Sequence, residues 1–416
     1  MSEQLTATKP RRLRAYVSVL GTTLLHQRNP WVIAFWSAMF PGLGHLLLSK
    51  HLRGLLLFGW EILINVEAHV NTAIYYGFTG QFDLSASVLE PRWVLLYIPT
   101  YLFAIFDSYR TAVDINQTYT LAAREDARVE PFRINGIELN YLDKIKPWVV
   151  LSWSFLTPGA GQLYIHRIVT AFFIMAWFIV ISYYSNLLPA IYMSMLGKFE
   201  LAKTTLNLQW FLNVPSVYFF AIFDAYSNSV ENNKLFEWEQ SRFLKREYEN
   251  PGFRMPISRE GGEPMYVIST FEHSRYLEMA ITALQMKGIA KESILAVSMD
   301  KRTEIPGVFD TGYHSDGHSF IDLALILGAF CSLLGSIYGF LLDWGPIIWG
   351  IIGMIGGIGL GLLIKLLIYR NEIKEFRTRE TDVVVIVSCE AEQVEMVKDM
   401  LWVNHAFGVR KLALGV

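Results

Sequence analysis

The chain has 416 residues, of which 52% are hydrophobic, 14% aromatic and 18% charged, and its mean hydropathy is +0.30. Soluble domains carry about 25% charged residues, so this composition excludes an ordinary soluble protein. The net charge of -2, with no basic stripe of interleaved aromatic residues, excludes nucleic acid as an expected partner, and two cysteines are too few for a disulfide framework.

The N-terminal region, residues 1–29, is basic. It carries Lys9, Arg11, Arg12 and Arg14, and no short apolar core with a small-residue cleavage site follows these charges. Basic flanks of membrane segments stay on the cytoplasmic side, so this region predicts a cytoplasmic anchor.

The first half of the chain repeats itself at one fixed offset. Pro30-Trp31-Val32 returns as Pro147-Trp148-Val149, and 147 − 30 gives an offset of 117 residues. At the same offset, FAIFDSY at 103–109 returns as FAIFDAY at 220–226. A second shared motif consists of Pro41, Gly42 and Gly44 in the first copy and Pro158, Gly159 and Gly161 in the second. Because no gap is needed, we predict two tandem membrane repeats, 30–116 and 147–233, joined by a linker at 117–146.

Each copy contains three apolar segments. The second covers about 54–77 and 168–190, and the third covers about 93–113 and 208–230, which are lengths that suit a bilayer. The first segment is interrupted by Pro-Gly-x-Gly. Proline removes a backbone donor and lipid offers no replacement, so this segment is either a kinked span or a re-entrant hairpin arm.

This choice decides the topology of the repeats. Three spans per copy would invert the second copy, whereas two would leave the copies parallel. Basic residues follow the first segments at Lys50, Arg53 and Arg167, while the connection 78–92 is mainly acidic, so charge bias favours parallel copies.

The motif Pro-Gly-x-Gly-[His/Gln]-Leu, followed by a basic turn, an apolar helix and a late Asp-x-Tyr, resembles the bacterial two-transmembrane domain family. The resemblance covers about 30–116 and 147–233. It implies an architecture in a bacterial cytoplasmic membrane and no particular activity, because that family shares none. The chain departs from the pattern with His45 where the second copy has Gln162, and it lacks the usual glycine in the following turn.

A soluble domain is expected after the repeats. Residues 234–263 form a charged helix and a linker, and strand and helix patterns then alternate over 264–306 and again over 380–416. Two βαβ units of this kind predict a four-stranded sheet with two helices on one face, the ferredoxin-like arrangement. The fold class expected is therefore an α-helical integral membrane protein plus an α+β domain.

A glycine-rich hairpin at 319–370 separates the two halves of that domain. Both halves must lie on one side of the membrane to pair, so this transmembrane hairpin enters and leaves by the same face, and the basic residues after it place that face in the cytoplasm. Its glycines share helical spacing that lets backbones approach closely: Gly335, Gly339, Gly353, Gly357 and Gly361. They predict either packing between the hairpin arms or on the repeats, or self-association of chains.

One face of the second segment in the first copy is polar. Glu61, Asn65 and His69 lie at i, i+4 and i+8. Ionisable groups in spans are costly, so this face, together with His45, is a candidate site for handling protons or cations. The alternative is a polar packing seam.

Asp107 and Asp224 are duplicated acidic residues near the ends of the third segments. Arg110 lies three residues after Asp107 and is its expected partner, whereas the second copy has serine at the equivalent position 227. A structural role in pairing or capping is the main expectation for both aspartates.

No nucleotide, nucleophile-elbow or metalloprotease motif occurs, and the Gly-x-Gly sequences lie in membrane segments. We therefore expect no enzyme, no catalytic residue and no cofactor. His314, Asp316 and His318 resemble metal ligands, but Ser319 and Asp322 fit a helix cap, so no metal is expected.

The sequence therefore predicts a non-enzymatic, self-associating membrane protein that is channel- or transporter-like, with a cytoplasmic regulatory module. Its expected partners are membrane lipid, further copies of the chain, and a small ligand or protein at the ferredoxin-like domain. The rival hypothesis is a membrane scaffold that transports nothing.

Overall fold

The computed structural model describes residues 10–249, 265–299, 321–368 and 382–413. It is mostly helical (68%) and contains a small antiparallel sheet. The chain forms two compact units. The first comprises the described residues within Met1–Asn140, Lys146–Glu231 and Pro306–Lys374, and the second those within Tyr141–Ile145, Asn232–Ile305 and Glu375–Val416.

The first unit begins with a two-stranded hairpin, β1 (Ala15–Ser18) and β2 (Gly21–Leu24). Six helices follow in chain order: α1 (Pro30–Met39), α2 (Leu43–Leu47), α3 (His51–Ala68), α4 (Val70–Phe78), α5 (Phe82–Val88) and α6 (Pro91–Glu125).

A second series of helices follows two short paired strands, β3 (Phe132–Ile134) and β4 (Leu139–Tyr141). The helices are α7 (Pro147–Leu156), α8 (Ala160–Tyr164), α9 (Ile168–Tyr184), α10 (Leu187–Met195), α11 (Phe199–Thr205), α12 (Leu208–Phe211) and α13 (Asn213–Glu247). The stretch 117–146, predicted as a linker, therefore contains the end of α6 and two strands.

The apolar segments predicted at about 54–77 and 168–190 are each divided into two helices. His69 separates α3 from α4 and Asn186 separates α9 from α10, and both residues have the left-handed backbone φ 55°, ψ 34°. A left-handed residue cannot continue a right-handed helix, so each segment bends at this position. The polar face predicted along one continuous helix therefore ends before His69.

Several helices are apolar enough to be membrane spans. Among the described residues, α15 (Asp322–Gly339) and α16 (Gly345–Ile368) qualify alone, and up to five spans result if each of three bent helix pairs counts as one. This range fits a multi-pass membrane protein. Helix α3 is not among these candidates, because Arg53, Glu61 and Glu67 place three charges in its 18 residues.

The core of the first unit is built around α13. Phe219, Phe220 and Phe223 are almost fully buried there, and Trp36 of α1 packs against Phe220 and Phe223 at ring-centroid distances of 5.7 and 5.2 Å. Each buried aromatic side chain contributes about 2–3 kcal/mol of apolar burial. Helix α13 therefore supplies the apolar core of the first unit, and it also carries Asp224.

The second unit contains a four-stranded antiparallel sheet. Its elements are β5 (Met265–Phe271), α14 (Arg275–Met286), β6 (Ile294–Ser298), β7 (Val383–Cys389), α17 (Val394–Val403) and β8 (Gly408–Ala413). The strand order is β6-β7-β5-β8, and Val267 of β5 lies opposite both Val387 of β7 and Lys411 of β8. These strands and helices lie within 264–306 and 380–416, the two ranges in which the sequence pattern predicts that strands and helices alternate.

Candidate functional site

The Pro-Gly-x-Gly motif makes a tight corner between two short helices. Gly42, between α1 and α2, has φ 97°, and Gly159, between α7 and α8, has φ 98°. A Cβ on Gly42 would also lie 2.5 Å from the carbonyl oxygen of Gly54, so side chains are excluded by conformation and by space. The second glycine of each motif, Gly44 or Gly161, lies equally close to the backbone of the preceding helix.

This corner makes the first segments short. Helices α1 and α7 have 10 residues each, about 15 Å at 1.5 Å per residue, which is half of a hydrocarbon core about 30 Å thick. Of the two structures predicted for this segment, the short helices favour a re-entrant arm. The corner also places residues 45 and 162 inside the core, where both are fully buried.

Asp107 of α6 accepts hydrogen bonds from two residues of the first copy. His45 Nε2 lies 3.1 Å from Asp107 Oδ2, and Arg53 Nη1 donates to the same oxygen at 2.6 Å. The Arg53 side chain is 50% exposed, whereas His45 is fully buried. The carboxylate therefore lies where a buried imidazole and a half-exposed guanidinium meet.

Asp224 of α13 has a more complete set of partners. Arg167 Nη1 donates to both carboxylate oxygens, at 2.6 and 2.7 Å, and the two residues are 6% and 0% exposed. Gln162 Nε2 and Asn228 Nδ2 donate to the carboxylate at 3.1 and 2.8 Å. This is a buried, hydrogen-bonded ion pair, which holds its geometry strongly.

The predicted partner of Asp107 is wrong. Arg110 points away and lies 3.8 Å from Asp114, and the true partner, Arg53, comes from another helix. Likewise Asp224, for which the sequence predicted no arginine, pairs with Arg167. Both arginines belong to the basic turn after the motif, which the sequence analysis used only as a guide to orientation.

A polar seam joins α3 and α4 to α12 and α13. Asn65 Nδ2 donates to Glu61 Oε1 at 2.9 Å, and Gln209 Nε2 donates to Asn65 Oδ1 at 2.7 Å. Asn71 Nδ2 then donates to Gln209 O at 2.8 Å and to Asn213 Oδ1 at 3.1 Å. Only Glu61 and Asn65 were predicted from the sequence, because the partners of Asn65 and Asn71 in the seam lie about 140 residues further along the chain.

His69, the third residue of the predicted polar face, does not join this seam. It caps α3 in the left-handed conformation and is exposed, and Asn71 takes part instead. The i+8 spacing holds only for an unbroken helix, which explains the error.

Glu61 differs from the two aspartates in lacking a positive partner. It is 4% exposed, and its carboxyl group accepts hydrogen bonds from Asn65 and from the Tyr97 hydroxyl, at 2.9 and 3.2 Å. Within the described ranges no lysine, arginine or histidine nitrogen lies within 4.0 Å of it. A buried carboxyl with neutral partners is stabilised by a proton or by a bound cation.

The five hairpin glycines face the opposite arm of the hairpin. Gly335 and Gly339 on α15 and Gly353, Gly357 and Gly361 on α16 each lie so close to the other helix that a Cβ would collide with its backbone. Packing within the hairpin therefore accounts for the whole stripe, which is the first of the two predicted uses. These glycines offer no surface to a second chain.

The second unit holds a buried polar group that the sequence analysis missed. His273 Nδ1 lies 2.9 Å from Gln240 Oε1, and His273 Nε2 lies 3.1 Å from Ser298 Oγ. The His273 amide donates to Asp382 at 3.1 Å. These contacts tie α13, β5 and β6 to the chain before β7, so the group is structural.

Within the ranges that the structure describes, no group of three or more His, Cys, Asp or Glu side chains could hold a metal ion. His314, Asp316, His318 and Ser319 lie outside those ranges. A scan against protein-family models finds no match to this chain, and searches of the curated proteins and of the solved structures find none either.

Proposed function

We propose that this chain is a non-enzymatic, multi-pass membrane protein that conducts or transports protons or a small cation, with Glu61 as the group that binds the ion. The observation that carries the proposal is a carboxyl group buried in an apolar unit with only neutral donors around it. Keeping such a group ionised without a partner is costly, so its presence in the buried core supports a role in ion movement.

The proposed architecture is a pair of tandem repeats. Helices α1 to α5 and α7 to α11 begin 117 residues apart, for example at Pro30 and Pro147 (147 − 30 = 117). Left-handed backbones recur at the same offset, in four pairs: Gly42 and Gly159, Ser49 and His166, His69 and Asn186, Gly80 and Gly197. Matching breaks in matching places support one ancestral unit copied twice.

The proposed regulatory module is ferredoxin-like. Its chain order is β-α-β-β-α-β, and its strand order places β5 and β7 at the centre of the sheet. Leu277 of α14 and Leu401 of α17 belong to the same hydrophobic core as Val267 of β5, which supports two helices on one face. We propose that this module binds a small ligand or a protein and regulates the membrane unit.

The proposed orientation has the basic N-terminus and the sheet in the cytoplasm of a bacterium. Its support is the excess of basic residues at the predicted inner ends of the segments. Ser87 and Glu130 are exposed and suit labelling. In intact cells, Ser87→Cys should react with an impermeant thiol reagent and Glu130→Cys should not; the reverse pattern would overturn the orientation.

The function is tested by ion flux in liposomes that contain the purified full chain and either a pH-sensitive or a cation-sensitive dye, because the proposed ion is a proton or a small cation. We expect a flux that Glu61→Gln abolishes, because the amide cannot exchange a proton or hold a cation. Glu67→Gln is the matched control, since Glu67 is an exposed glutamate on the same helix. Equal flux in wild type and Glu61→Gln would contradict the proposal.

The second candidate function is a scaffold, and the seam itself favours it. Asn65, Gln209 and Asn213 use their amides to hold the two copies together, which is a packing role that needs no transport. A scaffold predicts no flux for the wild type under any gradient, together with loss of stability when the seam is cut. The liposome experiment therefore separates the two functions.

A further inference from the structure

A basic cavity of about 230 Å³ lies in the first unit, beside the β1–β2 hairpin and the end of α2. None of its lining residues is acidic, whereas Arg14, His26, Arg28 and Lys50 are basic or can become so. Half of the remaining lining residues are leucine, including Leu47 and Leu48. The cavity therefore combines positive charge with an apolar wall.

Arg28 is the buried cation of this cavity. It is only 5% exposed, and its two terminal nitrogens donate to neutral oxygens, Ser227 Oγ at 2.9 Å and Asn228 Oδ1 at 3.3 Å. Its Nε is buried and has no hydrogen-bond partner in the described part of the chain. No carboxylate oxygen of the described residues lies within 4.0 Å of the Arg28 guanidinium. A buried guanidinium without an anion is costly, so the site is incomplete as it stands.

Lys50 adds a second positive charge at the exposed side of the cavity. It lies between α2 and α3, and no carboxylate of the described residues forms an ion pair with it. A flexible ammonium group at the entrance and a fixed guanidinium inside suit an anion with several oxygens. Arginine binds phosphate through two parallel hydrogen bonds, and lysine binds it as a point charge.

We propose that this cavity binds a phosphate-bearing anion, with the headgroup of an anionic phospholipid as the form that its leucine wall favours. The volume is several times the roughly 30 Å³ of one water, so a phosphate group fits. Basic segments beside membrane helices attract anionic lipids. The site is independent of ion transport through Glu61.

A bound anion would also act on the second aspartate site. Asn228 accepts from Arg28 and donates to Asp224, which in turn pairs with Arg167. Fixing the Arg28 guanidinium therefore fixes one of the donors to the buried carboxylate. Ligand that binds only the folded state raises its stability, so the ligand should raise the unfolding temperature.

The test is lipid binding by the full chain in detergent, measured by native mass spectrometry and by the shift in unfolding temperature. The probes are short-chain phosphatidylglycerol, short-chain phosphatidylcholine and inorganic phosphate. We expect phosphatidylglycerol to bind and Arg28→Gln to weaken it about tenfold, the loss typical of a charged hydrogen bond. Lys50→Gln, at an exposed position that leaves the fold intact, should weaken it several-fold.

Arg110→Gln is the matched control, because it removes an exposed arginine that lies outside the cavity lining. If inorganic phosphate stabilises the protein as strongly as the lipid, and both variants lose that effect, the anion site stands and a soluble phosphate compound is its source. Equal binding of both lipids, unchanged in Lys50→Gln and in any folded Arg28→Gln, would overturn the proposal.

Discussion

The two aspartate sites have the same plan but different burial. Asp107 pairs with a half-exposed arginine and a buried histidine, whereas Asp224 is sealed with Arg167, Gln162 and Asn228. When the two stretches of sequence are aligned at the offset of 117 residues, the arginines also come from different positions. Arg167 corresponds to Lys50 (167 − 117 = 50), and Arg53 corresponds to Thr170 (170 − 117 = 53).

This difference shows which contacts are common to the two aspartate sites. A guanidinium must reach the carboxylate, and either of two positions one helical turn apart can supply it. The donor at position 45 or 162 can be imidazole or amide. The Asp224 site is the more completely buried of the two, whereas the Asp107 site includes the half-exposed Arg53.

The largest effect should come from removing the sealed carboxylate. Asp224→Asn leaves Arg167 buried without an anion, which costs about 3–5 kcal/mol. Asp107→Asn should cost about 1–2 kcal/mol, because Arg53 can turn to solvent or to lipid headgroups. Unfolding of both variants in mixed micelles measures the difference. Equal losses of unfolding free energy would show that the difference in burial does not determine how much each ion pair contributes to stability.

Cutting the seam between the copies should have an intermediate effect. In Asn213→Leu, the Asn71 amide loses one of its two acceptors inside the core, so we expect a loss of about 1–3 kcal/mol. Gln117→Leu is the control, since Gln117 is an exposed amide on α6. The same unfolding assay applies, and matching values for the two variants would mean that the seam contributes nothing.

Transplanting the second copy's arrangement into the first should have a smaller effect. Arg53→Thr alone removes a half-exposed ion pair and should cost about 1 kcal/mol. Adding Lys50→Arg places an arginine where the second copy has Arg167, and the double variant should recover the loss. If the double variant is no more stable than Arg53→Thr, then an arginine at position 50 cannot replace Arg53 as the partner of Asp107.

The smallest effect is expected for a partly exposed ion pair in the second unit, with which the buried ion pairs can be compared. Hydrogen bonds from Lys291 and Arg246 lower the pKa of Glu247 to about 2. The folded-state pKa is depressed, so the pair contributes stability above the ordinary value of 4.5 and loses it as the pH falls toward 2. The unfolding temperatures of wild type and Glu247→Gln should differ slightly at pH 7 and converge on acidification.

Sequence patterns located the elements of the second unit and the two hairpin helices, because periodicity reports local structure. The strand at Met265–Phe271 and the hairpin helices lie where alternation and apolar length predicted them. Close backbone approach at the hairpin glycines was also predicted from their helical spacing, but the spacing left open whether the partner is the other arm or a second chain.

The contacts between side chains could not be predicted from the sequence in the same way. The i, i+3 spacing applies only to residues of one helix, so it predicted Arg110 as the partner of Asp107. The observed partner, Arg53, lies on another helix and is 54 residues away from Asp107 in sequence. The helix break at His69 could not be predicted either, because the residue with left-handed backbone is a histidine and not a glycine or a proline. The amides at Gln209 and Asn213 were visible as polar residues in an apolar segment, but their contact with Asn65 and Asn71 depends on how the copies pack.

The order of the strands along the chain has a consequence for biosynthesis. The two central strands, β5 and β7, are separated in sequence by the whole of α15 and α16, and β8 is the last element. A ribosome must therefore release both apolar arms before the sheet can close. Until then β5 and β6 lack the central partner that lies between them, so a chain stalled at the hairpin would display unpaired strand edges to chaperones and proteases.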